Sequence, residues 1–190
     1  MKKIFFITSN KGKVHEAIKK LHPLGYDIIQ KNIGYPEIQT DSLEEVARFG
    51  VHHVQDLVDH PFILEDAGLF IDALHGFPGV YSSYVYHTIG LDGILSLLSE
   101  RKHTHCSAVF RSVFAYADPN GDPWLFVGEC QGFISNKKKG EKGFGYDPIF
   151  IPSSSERTFA EMDTEEKNGF SHRGKSLEKL VDFLKKRSFN

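Results

Sequence analysis

The stretch Ile4-Phe5-Phe6-Ile7-Thr8-Ser9-Asn10-Lys11-Gly12-Lys13 decides the fold class. Its four consecutive apolar side chains, at residues 4–7, predict a strand that is buried on both faces. Asn10 is a residue type that caps helices, and an apolar stripe follows it at helical spacing: Val14, Ala17, Ile18 and Leu21. A buried strand, a tight turn and a helix in this order indicate an α/β fold.

The rest of the chain extends this pattern. Further strands are predicted over residues 26–30, 62–64, 69–71, 105–117 and 124–134, and helices over 43–58, 90–100 and the segment that carries Leu177, Leu180, Val181 and Leu184. Ser42 and Glu45 match a capping box at the start of the second helix. The sequence therefore predicts helices flanking a mixed β-sheet.

Length and composition limit the architecture and the partners. A chain of 190 residues and 21.5 kDa is one domain, or at most two intimately joined lobes. Its 23 basic and 25 acidic side chains give a net charge of −2, which disfavours nucleic acid as the main partner. The two cysteines lack CxxC spacing, and no stretch approaches the ~20 apolar residues of a membrane span. We therefore expect a cytoplasmic protein with no membrane segment.

Residues 8–13 are a candidate phosphate site. The start of a helix presents unpaired backbone N–H groups, Gly12 allows close approach to the backbone, and Lys13 adds a mobile positive charge. These features suit a phosphate cradle made by Thr8, Ser9, Asn10, Lys11, Gly12 and Lys13. An ordinary capped helix with solvated lysines fits the same residues equally well.

Glu65-Asp66-Ala67-Gly68 places two carboxylates where a buried strand is predicted to end. Mg²⁺ prefers hard oxygen ligands and bridges them to substrate phosphates, so this position favours a magnesium site. Asp66 is also placed to orient or deprotonate a water molecule. Glu37, in a loop after Pro36, is a candidate second carboxylate. The alternative is that these are solvated acids of turns.

Residues 143–148, Gly-Phe-Gly-Tyr-Asp-Pro, are a candidate nucleoside-binding loop. An aromatic side chain between glycines, such as Phe144, can stack on a base. The carboxylate of Asp147 can accept from a ring N–H or a ribose hydroxyl. The alternative is a loop whose aromatic side chains are anchored in the core.

Residues 169–176 match the pattern G-x-x-x-x-G-K-S of a P-loop. A P-loop follows a buried strand, whereas residues 161–168 are mostly polar, so the context contradicts this function. The same region favours Lys167, His172 and Arg173 as hydrogen-bond donors near a helix start, suited to keto oxygens or phosphates.

Six segments along the chain form a larger pattern: FITSNKGK at 6–13, YPE at 35–37, EDAGL at 65–69, GFPGVYS at 76–82, GFGYDP at 143–148, and EKN at 166–168 with SHR at 171–173. In this order they resemble the inosine triphosphate pyrophosphatase family. The segments span nearly the whole chain, and its compact length looks most like that of archaeal members.

The resemblance implies an elongated α/β protein with a mixed sheet, two lobes with a central cleft, and a homodimer. It implies hydrolysis of ITP, dITP or XTP to the monophosphate and pyrophosphate, with Mg²⁺. Carried over by position, Thr8 to Lys13 bind the triphosphate, Glu37 and Asp66 hold the metal, and Asp66 activates water for attack on the α-phosphorus. Phe144 stacks on the base, and the remaining substrate contacts fall on Ala67, Gly145, Tyr146, Asp147, Lys167, His172 and Arg173.

Selection of the base follows from donors aimed at O6 of hypoxanthine, which Lys167 and Arg173 can supply. The adenine amino group leaves such donors unpaired, a loss of about 1–3 kcal/mol each. One position departs from the pattern, because the family often has Ser where this chain has Ala67, and only a backbone N–H remains there. Three alternatives stay open: a Maf-like pyrophosphatase for modified pyrimidine nucleotides, a non-catalytic nucleotide-binding module, and a P-loop ATPase.

Overall fold

The chain begins with alternating strands and helices and ends on a long helix. The structure, a computed structural model, describes residues 1–36, 38–99 and 106–188. The strands are β1 (Lys2–Ile7), β2 (Tyr26–Lys31), β3 (Phe62–Ile71), β4 (Pro78–Gly79), β5 (Cys106–Ala117), β6 (Trp124–Ile134) and β7 (Phe150–Pro152). The helices are α1 (Lys11–Leu21), α2 (Leu43–Val54), α3 (Ser82–Thr88), α4 (Gly90–Ser99), α5 (Thr164–Asn168) and α6 (His172–Ser188).

The strands form one mixed sheet with the order β2-β1-β3-β5-β6-β7, and β4 pairs with β3. β1 is parallel to both β2 and β3, so Ile7 lies opposite Lys31 on one side and Leu64 on the other. β4 is antiparallel to β3, and β7 is antiparallel to β6. Parallel neighbours require crossover connections, which α1 and α2 provide. The predicted α/β class with a mixed sheet is confirmed.

The chain forms two compact units, and consecutive segments of the sequence belong alternately to one unit and the other. The first unit comprises Met1–Asp66, Ser112–Val127 and Ser176–Asn190, and the second comprises Ala67–Arg111 and Gly128–Lys175. The divisions fall inside β3, β5, β6 and α6. A single sequence position therefore does not separate the two units.

The core of the first unit is built on β1 and α1 together with the C-terminal part of α6. Phe6 and Ile4 of β1 are almost completely buried, as are Ala17 and Leu21 of α1. The apolar stripe of α6, formed by Leu177, Leu180, Val181 and Leu184, is buried as predicted. Ile18 is different, because it lies at the edge of the α1 stripe and is 37% exposed. Its predicted inward position is wrong.

The core of the second unit has an aromatic centre. The ring centroids of Phe110 and Phe150 are 4.6 Å apart, and those of Phe150 and Phe159 are 5.1 Å apart. Ile94 and Leu98 of α4 are buried in the same core.

No helix within the described residues is long and apolar enough to cross a bilayer.

β3 runs without a break from Phe62 to Ile71, whereas the sequence predicts two strands with Glu65-Asp66 between them. The strand continues beyond its ladder with β1 because Leu69 and Phe70 pair with β4. Glu65 and Asp66 therefore lie within a strand, and their interpretation as acids of a turn is wrong.

Gly68 is needed for this pairing. A Cβ atom at Gly68 would lie 2.4 Å from the carbonyl oxygen of Gly79, so only glycine allows the two backbones to approach. Ser82 strengthens the contact, since its Oγ accepts from the N–H of Leu69 at 2.8 Å and donates to the Gly79 carbonyl at 2.7 Å.

α2 begins at Leu43 as predicted, but its C-terminal end and the partner of its N-cap differ from the prediction. It ends at Val54 instead of residue 58, and Leu57 beyond it is 58% exposed. Ser42 Oγ accepts from the N–H of Glu45 as a capping residue should. The Glu45 carboxylate, however, accepts from the Thr40 hydroxyl, and the N–H of Ser42 also donates to Thr40 Oγ1. Thr40 thus replaces half of the predicted capping box.

Candidate active site

Asn10 caps the start of α1 and fills part of the predicted phosphate cradle. Its Oδ1 accepts from the N–H groups of Gly12 at 2.9 Å and Lys13 at 3.2 Å, and its own N–H donates to Thr8 Oγ1 at 3.1 Å. The expectation that these amides are unpaired is therefore wrong, because asparagine is a strong N-cap and satisfies them within the chain. Ser9 and Lys11 are exposed at this end of the helix.

Lys13 is held inside the first unit instead of extending into solvent. Its Nζ lies 2.6 Å from Oε2 of Glu65 and donates to the Glu65 carbonyl at 3.0 Å. The Glu65 side chain is completely buried, whereas 17% of the Lys13 side chain is exposed. A buried carboxylate is tolerated only when a charge or hydrogen bonds compensate it, so Lys13 is its counter-charge. The predicted mobile charge is thus a fixed one.

Asp66 follows Glu65 on β3 and is half-buried. It is the last residue of the first unit on this part of the strand. Ala67 is also half-buried, at the start of the second unit. Glu37, the predicted second carboxylate, lies outside the described residues. Within the described parts of the chain, no group of three or more His, Cys, Asp or Glu side chains is arranged to hold a metal ion.

Two cations in the second unit lie close to an exposed aromatic ring. Phe144 is 46% exposed. Lys167 Nζ lies 5.1 Å from the centroid of the Phe144 ring. The guanidinium carbon of Arg173 lies 5.2 Å from the same centroid, although Arg173 itself is only 5% exposed. These distances are typical of cation–π contacts. These three residues are predicted to recognise the base, and the fold brings them together.

Asp147 contacts both the backbone of Phe144 and the side chain of Lys167. Its Oδ2 accepts from the N–H of Phe144 at 2.8 Å and lies 2.6 Å from Lys167 Nζ, and both side chains of the ion pair are nearly buried. Asp147 therefore fixes the loop and the ammonium group at the same time. A direct contact between Asp147 and a base or ribose stays a prediction.

Gly143 makes this arrangement possible. Its φ of 77° lies in the left-handed region, and a Cβ atom there would lie 2.1 Å from Oδ2 of Asp147. Gly145 also has a positive φ of 61°, but the space around it is open. The glycine-flanked loop is thus wrapped around a carboxylate.

Tyr146 and His172 are predicted substrate contacts that lie within the core. The Tyr146 hydroxyl donates to the Ser82 carbonyl at 2.8 Å, and burial raises the pKa of Tyr146 above its usual range. The His172 ring stacks on Phe110, with centroids 4.5 Å apart and planes at 10°. Both side chains support the second unit, and any contact of theirs with substrate stays a prediction.

The start of α6 occupies the segment that matches the P-loop pattern. Residues 164–168 form α5, and α6 begins at His172 with the Ser171 hydroxyl accepting from the N–H of Gly174 at 3.1 Å. Lys175 Nζ donates to the carbonyl of Glu129 at 2.8 Å. A helix precedes the pattern, and residues 172–176 of the pattern are themselves helical, so the segment is not a P-loop. The objection raised from the sequence is confirmed.

The chain matches the model of a known protein family over most of its length. The model of the Ham1 family matches residues 4–183. The chain belongs to the Ham1 family. The resemblance stated from the six sequence segments is confirmed by relatives across nearly the full length of this Ham1 protein.

Two archaeal relatives carry the name dITP/XTP pyrophosphatase. The relative from Pyrococcus horikoshii is 54% identical over 184 residues, which cover 96% of this chain and 97% of the relative. The relative from Thermococcus kodakarensis is 52% identical over 183 residues, again covering 96% of this chain and 97% of the relative.

Solved structures of bacterial Ham1 proteins share the fold. The HAM1 protein of Coxiella burnetii matches with a TM-score of 0.90 and 31% identity, covering 98% of this chain and all of its own. The Ham1 protein of Staphylococcus aureus matches with a TM-score of 0.84 and 29% identity over the same shares of the two chains.

Sequence reasoning missed two buried serines of this Ham1 protein, Ser112 and Ser176. The Ser112 hydroxyl donates to Oε1 of Glu65 at 2.6 Å and lies 2.9 Å from the Ser176 hydroxyl. A signal was present, because strand alternation places Ser112 on the same face as Phe110 and Phe114 in an apolar run. A polar side chain on a core-facing position indicates a buried hydrogen-bond partner.

Proposed function

We propose that this Ham1 protein hydrolyses non-canonical purine nucleoside triphosphates, namely ITP, dITP and XTP, to the monophosphate and pyrophosphate. The observation that carries the proposal is the exposed Phe144 ring with Lys167 and Arg173 beside it. The names of the archaeal relatives support the same reaction class. The fixed cation Lys13 at the start of α1 supports a triphosphate as the substrate.

Base selection is assigned to the cluster around Phe144. Its exposed ring is available for stacking, and two nearby donors, Lys167 and Arg173, match the keto oxygen at position 6 of hypoxanthine or xanthine. Adenine carries an amino group there, so both donors lose their acceptor when ATP binds. Asp147 keeps Lys167 oriented and thereby limits the conformational entropy lost on binding.

Triphosphate binding is assigned to residues 8–13. Lys13 is held by Glu65 before substrate arrives, and a phosphate group competes with that carboxylate for its ammonium protons. The N–H groups of Gly12 and Lys13 become available when a phosphate oxygen shares or replaces Asn10 Oδ1. The backbone N–H of Ala67 is a further proposed donor in place of the hydroxyl that the family often has.

Mg²⁺ is proposed as the cofactor, with Asp66 and Glu37 as its protein ligands. The donor chemistry fits, because Mg²⁺ takes one or two carboxylates and completes its coordination with water and phosphate oxygens. Asp66 supplies one such half-buried carboxylate, whereas Glu65 is occupied by Lys13 and Ser112. When bound, the ion neutralises charge on the phosphates.

Asp66 is proposed as the general base. Its carboxylate takes a proton from a water molecule that attacks the α-phosphorus, and pyrophosphate leaves as the bond between the α- and β-phosphates breaks. Lys13 and the N–H groups at the start of α1 stabilise the negative charge that collects on the leaving pyrophosphate.

Product analysis tests the proposal. Purified protein is incubated with ITP, XTP, GTP, ATP or a modified pyrimidine nucleoside triphosphate and Mg²⁺, and pyrophosphate is resolved from orthophosphate. We expect pyrophosphate with IMP or XMP, while ATP is largely spared. Guanine shares the 6-keto oxygen, so the GTP reaction measures selection against its 2-amino group. Orthophosphate with a nucleoside diphosphate contradicts the proposal, and so does the absence of any product, which favours a binding module instead. Preferred hydrolysis of modified pyrimidine nucleotides supports the Maf-like alternative.

Substitution of Asp66 by Asn tests its role. We expect turnover to fall by about 10³-fold while nucleotide binding, measured by calorimetry, is retained. Asp72→Asn is the matched control, because Asp72 is an exposed acid just beyond the end of β3. Intact turnover of the Asp66→Asn variant rules out Asp66 as the base.

The homodimer and the cytoplasmic location also remain proposals. The homodimer is checked by sedimentation of the purified protein across a range of concentrations. A cytoplasmic location is expected from the substrate class, and fractionation of the cells that make the protein checks it.

A further inference from the structure

Two buried hydroxyl groups lie behind the Glu65 carboxylate in the first unit. Ser112 is on β5 and Ser176 is in the first part of α6, and both residues have no exposed surface. Their oxygens are 2.9 Å apart, and Ser112 Oγ lies 2.6 Å from Oε1 of Glu65. The other carboxylate oxygen, Oε2, lies 2.6 Å from Lys13 Nζ. The four residues thus form one continuous polar chain through the unit.

The direction of the hydrogen bonds in this chain follows from its chemistry. A serine hydroxyl has one proton, and Ser112 donates that proton to the Glu65 carboxylate. Ser176 must therefore be the donor in the contact between the two serines. Each hydroxyl polarises the next, which strengthens the short bond to Glu65.

The position of Glu65 matters because its side chain is completely buried. A buried carboxylate with one fixed oxygen has little rotational freedom, so its other oxygen presents a defined site to the ammonium group of Lys13. The alternative anchor for Lys13, the Glu65 carbonyl, lies on the same residue at 3.0 Å. Lys13 is therefore located by Glu65, and Glu65 by Ser112 and Ser176.

We propose that Ser112 and Ser176 are positioning residues, which fix the Glu65 carboxylate so that it holds the Lys13 ammonium at the start of α1. The inference rests on the proposed function in one respect, namely that Lys13 binds phosphate groups. Ser112 acts directly on Glu65 and Ser176 acts through Ser112, so the effect of Ser112 is the larger.

The test measures phosphate binding as well as turnover. We expect Ser112→Ala to raise the dissociation constant of inorganic pyrophosphate with Mg²⁺, measured by calorimetry, by about tenfold, and the KM for ITP by a similar factor. The kcat falls less than KM rises. Ser176→Ala has a smaller effect in the same direction. Ser135→Ala is the matched control, because Ser135 is a buried serine of the second unit whose Oγ accepts from the N–H of Lys137.

A double-mutant cycle separates positioning from a general loss of stability. With Lys13→Gln as the background, Ser112→Ala should change pyrophosphate affinity by less than twofold, because the charge that Ser112 positions is absent. If Lys13→Gln fails to fold by circular dichroism, the isosteric Glu65→Gln serves as the background with the same expectation. An undiminished tenfold effect in the background variant overturns the inference.

Failure of the proposed function gives a different result. If wild-type protein binds pyrophosphate and the serine variants weaken that binding as expected, but wild-type protein hydrolyses no triphosphate, the positioning role is supported and the proposed reaction is excluded. A wild-type protein that binds no pyrophosphate overturns the positioning role as well, whatever its turnover.

Discussion

The ammonium nitrogen of Lys13 lies 2.6 Å from Oε2 of Glu65, although the two residues are 52 positions apart in the chain. The contact joins the beginning of α1 to the middle of β3, next to Asp66. It keeps a positive charge at the helix start in a defined place, where the dipole of α1 also favours anions. The same contact compensates a carboxylate that has no access to water.

This ion pair leads to a prediction about stability. Lys13→Met leaves Glu65 buried without its counter-charge, so we expect the free energy of unfolding to fall by about 3 kcal/mol. Urea unfolding measures the change, and the exposed Lys11→Met on the same helix should change it by less than about 0.5 kcal/mol. The double variant with Glu65→Met should be more stable than Lys13→Met alone. Equal effects of the Lys11 and Lys13 substitutions contradict this account.

The two glycines around Phe144 predict unequal costs. Gly145→Ala places a side chain at positive φ in open space and should lower the free energy of unfolding by about 1 kcal/mol. Gly143→Ala adds a collision with Asp147 Oδ2, so we expect a loss of about 3 kcal/mol. It should also raise the KM for ITP, because Asp147 aligns Phe144 and Lys167. Thermal unfolding and initial rates check both variants, and a smaller cost at position 143 argues against the wrapped loop.

Lys175 and Lys13 provide a direct comparison of the two candidate phosphate sites. Lys175 donates to a main-chain carbonyl on the surface of the second unit, so Lys175→Ala should change kcat/KM for ITP by no more than about twofold. Lys13→Ala should lower kcat/KM by about 100-fold, since it removes a charge that stabilises the phosphates. Initial rates under identical conditions give the ranking. The reverse ranking would return phosphate binding to residues 169–176.

The buried thiol of Cys130 predicts a loss of stability at alkaline pH. Burial raises the pKa of Cys130 to about 11, whereas an unfolded cysteine titrates near 8.5. The folded state therefore disfavours the thiolate, and this contribution to stability is complete below about pH 8.5 and is lost as the pH rises towards 11. Between pH 8 and pH 10, wild-type protein should lose about 2 kcal/mol more than Cys130→Ala in urea unfolding. Equal losses would show that the thiol does not contribute.

The sequence was sufficient where the interactions are local or the burial pattern is regular. The apolar run at residues 4–7 and Asn10 predicted β1, the turn and α1, because a strand and its following N-cap depend on neighbouring residues. The six segments that resemble the family were sufficient to identify it, and the family match over residues 4–183 confirms that identification. Ile18 shows the limit of periodicity, since packing decides which edge of a stripe is covered.

The tertiary structure decided which charges meet. Neither periodicity nor motif shows that Lys13 is directed to Glu65, or that Asp147 is used by Lys167 and the Phe144 N–H, because each contact joins segments that are distant in the chain or depends on a loop conformation. The continuity of β3 was also decided there, since its second half follows from pairing with β4. Local sequence therefore determined the elements and the residue types of the site, whereas long-range pairing determined the partner of each buried charge. The physical reason is that a buried charge needs a compensating group, and only the folded chain brings that group within reach.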